Sequence, residues 1–266
     1  MEKPKLVASD VDGTLLDPMA RVTPRTARAV RRVVASGTPF VLVTGRPPRW
    51  IPPVAEETGL TGYAVCGNGA VLYDIGADRV LVAHGLDPVL MHDVAHALER
   101  ALPGMRIAVE RTGSAPAYVV EPGYANPWGD LDNHGRVAPR AEVLGHPATK
   151  LLVRHSDMSS AEMARAAAEV LDHQVDVTFS TNNGLLELSA PGITKATGLA
   201  DVCTRLNIAP RDVIAFGDMP NDVAMLHWAG HGVAMANAHP AALTAADEIT
   251  APNSEDGVAE ILERWF

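Results

Sequence analysis

Along the first 70 residues, apolar and polar positions alternate between two rhythms. Residues 5–9 carry a short apolar run, Leu6-Val7-Ala8, that stops at acidic residues and Gly13. Helical spacing then takes over: Ala27, Val30, Val33 and Val34 recur on one side, with Arg25, Arg28, Arg31 and Arg32 between them. Thr23 is placed to cap this helix, Pro24 fits its first turn, and Gly37 ends the pattern. Phe40-Val41-Leu42-Val43, apolar throughout and bounded by Pro39 and Gly45, reads as a strand buried on both faces. A further helix over 50–58 and a strand over 63–66 complete a strand–helix–strand–helix–strand series. Such a series predicts a doubly wound α/β fold on a parallel sheet.

The same grammar returns near the other end of the chain. Ala196, Leu199, Val202, Cys203 and Leu206 form one helical stripe over 195–206. A buried strand over 213–216 ends at Gly217-Asp218, followed by a helix over 222–228, a strand over 232–235 and a last helix over 257–265. Between about Ala83 and Pro191 the order differs. Two helices, 88–101 and 159–171, are interleaved with strands near 106–110, 118–121, 150–154, 175–179 and 185–189. Asn182-Asn183-Gly184 is a hairpin signal between the last two. The expected organisation is an α/β core from residues 1–83 and 191–266, with an α+β domain, residues 84–190, inserted into it.

Composition narrows what this fold can serve. The 266 residues carry a formal charge of −10, spread along the chain, which repels a phosphodiester backbone and argues against nucleic-acid partners. A small anionic ligand remains compatible, because a local site can be positive on a negative protein. The opening MEKPKLVASDVDGT lacks a long apolar stretch before its first acidic residues, so no signal peptide is expected. No window approaches the roughly 18 apolar residues of a membrane helix. Cys66 and Cys203 have no CxxC partner and are expected as reduced thiols in a cytoplasmic protein. The ten histidines form no HxxH or HExxH pair that would suggest zinc.

Candidate chemistry gathers where the strands end. Asp10-Val11-Asp12-Gly13-Thr14 follows the first strand, at the edge where open α/β sheets bind ligands. Two carboxylates two residues apart need a cation or a proton between them. One can then attack phosphorus while the other holds a proton for the leaving oxygen. Thr44-Gly45-Arg46, after the second buried strand, offers a hydroxyl and a backbone N–H to a phosphate oxygen. Lys195, opening a helix after Pro191-Gly192, can meet the charge of a transferring phosphoryl group. Gly217-Asp218-Met219-Pro220-Asn221-Asp222 closes the set. Asp218 can complete an all-oxygen Mg²⁺ shell, Asn221 can reach a phosphate, and Asp222 can hold a metal-bound water, a lysine or a helix end. Asn68, in Cys66-Gly67-Asn68-Gly69-Ala70, either faces the site or forms a tight turn.

These motifs resemble those of the haloacid dehalogenase-like superfamily: Asp10-Val-Asp-Gly-Thr14, Thr44-Gly-Arg46, Lys195 and Gly217-Asp-Met-Pro-Asn-Asp222. Cys66-Gly-Asn-Gly-Ala70, the insertion after the third strand and Asp256-Gly-Val258 resemble its Cof-type branch, with a Rossmann-like core and a class IIB α+β cap. The resemblance implies a Mg²⁺-dependent phosphatase of small phosphorylated metabolites, sugar phosphates among them, with Asp10 as nucleophile and metal ligand. It makes Asp12 the general acid/base and a ligand through its backbone carbonyl, and Asp218 the remaining ligand. The N–H groups of Val11 and Gly45, with Thr44, Lys195 and Asn221, would hold the phosphate, supported by Arg46, Asn68 and Asp222. The inserted cap would close over the site; residues 181–184 and the loop around Trp128 are expected to touch the leaving group. Ala196 and Ala236 stand where relatives often have glycine. A phosphomutase using the same aspartate, or a non-catalytic protein binding a phosphorylated ligand, stays open, as does monomer or homodimer.

Overall fold

The computed structural model describes residues 2–113, 116–126 and 135–266, so the candidate contact at Trp128 lies outside the described residues. The chain forms two compact units, residues 1–82 with 194–266, and residues 83–193.

The first unit is built on an eight-stranded sheet. In chain order its elements are β1 (Leu6–Ser9), α1 (Pro24–Ala35), β2 (Phe40–Val43), α2 (Pro52–Thr58), β3 (Tyr63–Cys66), β4 (Val71–Asp74) and β5 (Arg79–Ala83). After the insertion it resumes with α6 (Lys195–Leu206), β12 (Val213–Gly217), α7 (Val223–Trp228), β13 (His231–Met235), α8 (Pro240–Ala245), β14 (Glu248–Thr250) and α9 (Gly257–Leu262). The strand order is β14-β13-β12-β1-β2-β3-β4-β5, parallel from β14 to β3 and antiparallel between β3 and β4. Strands built from β-branched and aliphatic residues, such as β1 and β2, are buried at every position, as a sheet covered on both faces requires. On one face, Leu6, Ala8, Val41, Val43 and Val65 pack against Leu199, Val202 and Cys203 of α6 and Met225 of α7. Thr23 caps α1 by accepting the Thr26 N–H, with Pro24 in the first turn. Because β2 and β12 flank β1 on opposite sides, the topological switch lies at the C-terminal end of β1.

Within the second unit the elements are α3 (Pro88–Ala101), β6 (Arg106–Glu110), β7 (Tyr118–Val120), β8 (Gly135–Val137), α4 (Arg140–Val143), β9 (Lys150–Arg154), α5 (Ser160–Leu171), β10 (Asp176–Thr178) and β11 (Leu185–Ser189). Its sheet runs β10-β11-β9-β6-β7-β8, antiparallel except for β7 with β8. Asp87 caps α3, and Ser159 with Glu162 forms a capping box on α5.

Several expectations change in detail. The helix expected over 50–58 becomes a tight turn at Pro48–Trp50 followed by α2, because Pro52 and Pro53 supply no N–H and belong in a first turn. The hairpin loop spans residues 179–184, one residue more than the 180–184 expected, because β10 stops at Thr178. The last helix stops at Leu262. The short elements β4, β5, β8, α4, α8 and β14 were not expected from the pattern. Among the described residues, no helix is long and apolar enough to cross a membrane.

Candidate active site

Four neighbouring parallel strands, β12, β1, β2 and β3, end at the same edge, and each hands the chain to a candidate residue. β1 runs into Asp10, whose N–H donates to the Phe216 carbonyl of β12 at 2.9 Å. The next residues turn tightly, closed by the Leu16 N–H on the Val11 carbonyl at 2.9 Å. Gly13 makes that turn possible: it sits at φ +77°, and a Cβ there would lie 2.3 Å from an Asp218 carboxylate oxygen.

The turn brings together residues more than 180 positions apart. Lys195 is fully buried at the start of α6 and donates from Nζ to Asp10 Oδ1 at 2.7 Å and to Asp222 Oδ1 at 2.6 Å. Asp222 uses its second oxygen, Oδ2, to accept the N–H groups of Asp218 and Met219 at 3.0 and 2.9 Å. Of the roles open to Asp222, the structure therefore selects the lysine partner and the closure of its own loop. Thr14 donates its hydroxyl to Asp218 Oδ1 at 2.8 Å. The carboxylates of Asp10, Asp218 and Asp222 are all buried, with ligand atoms within 4.8 Å of one another.

A second set of bonds ties the neighbouring loops. Asn221 donates from Nδ2 to Asn68 Oδ1 at 3.1 Å, and the Asn68 N–H donates to the Thr44 carbonyl at 3.0 Å. Asn68 thus does both things left open for it: it adopts a left-handed turn, φ 58°, and it faces the other candidate loops. Gly69 allows the turn to close on the start of α6, where a Cβ would meet the Thr194 carbonyl oxygen at 2.1 Å. Among the described residues, Asn221 Oδ1 is a buried acceptor without a hydrogen-bond partner. Thr44 is buried, and its hydroxyl accepts the Arg46 N–H at 3.1 Å. Val11 is buried beside Asp10, and Gly45 lies between Thr44 and Arg46 on the same edge. Asp12 stands apart from the buried cluster: its carboxylate is gripped from outside by Arg46, Nε to Oδ2 at 2.8 Å and Nη2 to Oδ1 at 2.6 Å. Ala196 is buried directly after Lys195, with the helix start intact around it.

Sequence reasoning passed over Asn237 and His239. Asn237 Nδ2 donates to the Gly13 carbonyl at 2.9 Å, and the His239 N–H donates to the Asp218 carbonyl at 2.7 Å. Both follow β13, a strand ending at the same edge as β1 and β12, and that placement was the available signal. Thr14, quoted within its motif but given no role, proves to be the hydroxyl partner of Asp218.

Electrostatics make the cluster short of positive charge. Burial, reinforced by Asp222, Asp218 and Asp12, holds the Asp10 carboxyl well above the usual range despite Lys195. Burial and then the Asp222 charge push Asp218 up to about 7. Burial alone would lower the Lys195 pKa, but Asp10 and Asp222 outweigh it and hold the ammonium above its usual range. Three buried carboxylates are an all-oxygen donor set that fits a hard divalent cation. Both Asp222 oxygens are already engaged, so Asp10 and Asp218 are the side chains with capacity to hold it.

A testable consequence concerns the metal-free protein. A carboxyl kept protonated by the fold favours the fold at low pH. That contribution is complete below the ordinary value of 3.8 and is lost as pH rises through about 7. In EDTA, stability should therefore fall between these limits, at about 1.4 kcal/mol per pH unit for each such group. Asp218→Asn should flatten the fall and melt above wild type near pH 7.5, and added Mg²⁺ should raise wild type far more than the variant. A melting profile for Asp218→Asn parallel to wild type in EDTA would refute this assignment.

Fold and cluster together define a class: a Rossmann-like α/β enzyme core with an inserted α+β unit and a carboxylate–lysine site at its switch point. A family model described as haloacid dehalogenase-like hydrolase matches residues 7–262, and the chain belongs to that family. It stands in the Cof-type branch of that family. The 5-amino-6-(5-phospho-D-ribitylamino)uracil phosphatase YitU of Bacillus subtilis is 28% identical over 268 residues, covering 99% of this chain and 98% of its own. A solved haloacid dehalogenase-like hydrolase from Bacteroides thetaiotaomicron superposes with a TM-score of 0.78 at 28% identity, covering 99% of this chain and 100% of the other. A sugar phosphatase of subclass IIB shares the fold with a TM-score of 0.83 at 21% identity over 98% of both chains.

Proposed function

We propose that this chain hydrolyses small phosphorylated metabolites with Mg²⁺, through a phosphoryl group carried transiently on Asp10. The chain is a haloacid dehalogenase-type phosphomonoester hydrolase; the metal, the intermediate, the residue roles and the substrate class are the proposal. In the first step an Asp10 carboxylate oxygen bonds to phosphorus, the ester P–O bond breaks, and Asp12 gives its proton to the departing alkoxide. In the second, Asp12 takes a proton from water, the water oxygen bonds to phosphorus, and the acyl-phosphate P–O bond breaks. Inorganic phosphate leaves and the Asp10 carboxylate is restored. Lys195 holds the Asp10 side chain in place and adds positive charge beside the phosphoryl oxygens, while Asp222 and Thr14 orient Lys195 and Asp218. Thr44, Asn221 and the N–H groups of Val11 and Gly45 receive the phosphate, and Asn68 fixes the Asn221 amide. Asp10, Asp218 and the Asp12 carbonyl would hold Mg²⁺, which supplies further positive charge against the phosphoryl oxygens. The inserted unit serves leaving-group selection, and Cys66 and Cys203, both buried and outside any disulfide, suit a cytoplasmic setting.

The observation that supports this reading most is the buried convergence of Asp10, Asp218 and Asp222, with the Lys195 ammonium paired to Asp10 and Asp222. A panel of sugar, polyol, ribitylamino-linked and cofactor phosphates should release phosphate with Mg²⁺ and stop doing so in EDTA. Absence of release across the panel, or release indifferent to EDTA, would reject the proposal. Substrate conversion without free phosphate would mark a phosphomutase instead.

A further inference from the structure

We infer that Arg46 is a positioning residue: its guanidinium sets the direction of the Asp12 carboxylate and so governs proton delivery to the leaving group. The inference rests on the reading above, in which Asp12 is the acid and base. It starts from an asymmetry within the pair. The two N–H···O bonds, at 2.8 and 2.6 Å, form the planar fork that fixes a carboxylate in orientation as well as distance. The two side chains differ in how they are held. Arg46 is 19% exposed, whereas Asp12 is 55% exposed. The Arg46 main chain is pinned at both ends, its N–H on the Thr44 hydroxyl at 3.1 Å and its carbonyl receiving the Gly67 N–H at 3.0 Å. Asp12 sits in the tight turn before Gly13, and among the described residues its carboxylate has no hydrogen-bond partner other than Arg46. The anchored group is therefore the arginine and the loose group is the aspartate, so orientation passes from Arg46 to Asp12.

The distinctive consequence lies in which substrates suffer when the fork is lost. In the first step the Asp10 oxygen–phosphorus bond forms and the phosphorus–leaving-group bond breaks. The electron pair of the broken bond stays on the leaving oxygen, which takes the Asp12 proton. An alkyl phosphate needs that proton, because an alkoxide leaves poorly. An aryl phosphate such as p-nitrophenyl phosphate scarcely needs it, because its phenolate leaves as an anion. Both present the same phosphoryl group to the core. A residue that only bound phosphate, or only supported the fold, would affect the two alike.

The test compares kcat/KM for an alkyl phosphate and for p-nitrophenyl phosphate in wild type, Arg46→Gln, Arg46→Lys and Asp12→Asn. A positioned general acid contributes about 10²–10⁴-fold, so Arg46→Gln should lose about 10–100-fold on the alkyl ester and about threefold or less on the aryl ester. Arg46→Lys keeps the charge without the fork and should show the same steepened leaving-group dependence. In the Asp12→Asn background, adding Arg46→Gln should steepen it no further. Equal losses on both esters, or full rescue by lysine, would overturn the inference. Failure of the parent reading looks different: wild type itself would then release no phosphate from either ester.

Discussion

Asp10→Asn should abolish turnover, by at least about 10⁴-fold, while leaving the protein folded. The two halves of this expectation come from different features of the same site. Asparagine matches aspartate in volume, and its Oδ1 can still accept the Lys195 N–H now given to the carboxylate at 2.7 Å. The Asp10 carboxyl is held above its usual range by burial and by three neighbouring carboxylates, so removing its charge relieves the metal-free cluster. The variant should melt at or above wild type in EDTA. An amide, however, is a poor nucleophile toward phosphorus, and no other carboxylate is free to replace it. Asp222 is engaged at both oxygens, and Asp218 is engaged by Thr14 on one and, in the proposal, by the metal. Phosphate release by repurified Asp10→Asn on the best panel substrate checks the prediction. Turnover within about tenfold of wild type that follows the variant through purification would remove Asp10 from the chemistry.

The parts of this site that could be read from sequence share one property: each follows a strand buried on both faces. Asp10, Thr44 and Asp218 stand directly after apolar runs in β1, β2 and β12, Asn68 follows β3 after one intervening residue, and a parallel sheet places all such ends on one edge. Lys195 was legible through the helix it opens. The pairings were not. Asp12 and Arg46 were both singled out, but their fork depends on side-chain directions out of two loops, which no spacing encodes. The elements that escaped notice are those with weak periodicity. β14 has three residues, β8 is exposed along its length, and β4 continues so closely from the Gly67–Gly69 turn that its apolar run has no visible start. At residues 179–184 the Asn-Asn-Gly signal marks a hairpin but does not give the width of its loop. Instead, the Gly184 and Leu185 N–H groups bind the Ser160 hydroxyl at the start of α5, and that tertiary contact sets the width of the loop.

Lys195→Met should give the largest stability loss of any substitution in the core unit, together with a fall in turnover of about 10²–10³-fold. Methionine replaces most of the lysine stem in a fully buried position, so packing is largely kept while the charge disappears. What remains is three buried carboxylates, with ligand atoms within 4.8 Å, and no cation among them. Breaking a buried ion pair from one side costs about 3–5 kcal/mol, which corresponds to a melting temperature lower by about 10 °C for a chain of this size. The loss should depend on pH in a way that identifies its cause. Without Lys195, the pKa values of the carboxyls rise further, so their contribution to stability is present at low pH and disappears as pH increases. In EDTA the variant should fall far below wild type at pH 8 and approach it at pH 5, and Mg²⁺ should restore part of the difference at pH 8. A deficit caused by lost packing would be the same at both pH values. A pH-independent deficit, or a melting point at pH 8 within about 2 °C of wild type, would mean that Lys195 does not balance the cluster's charge.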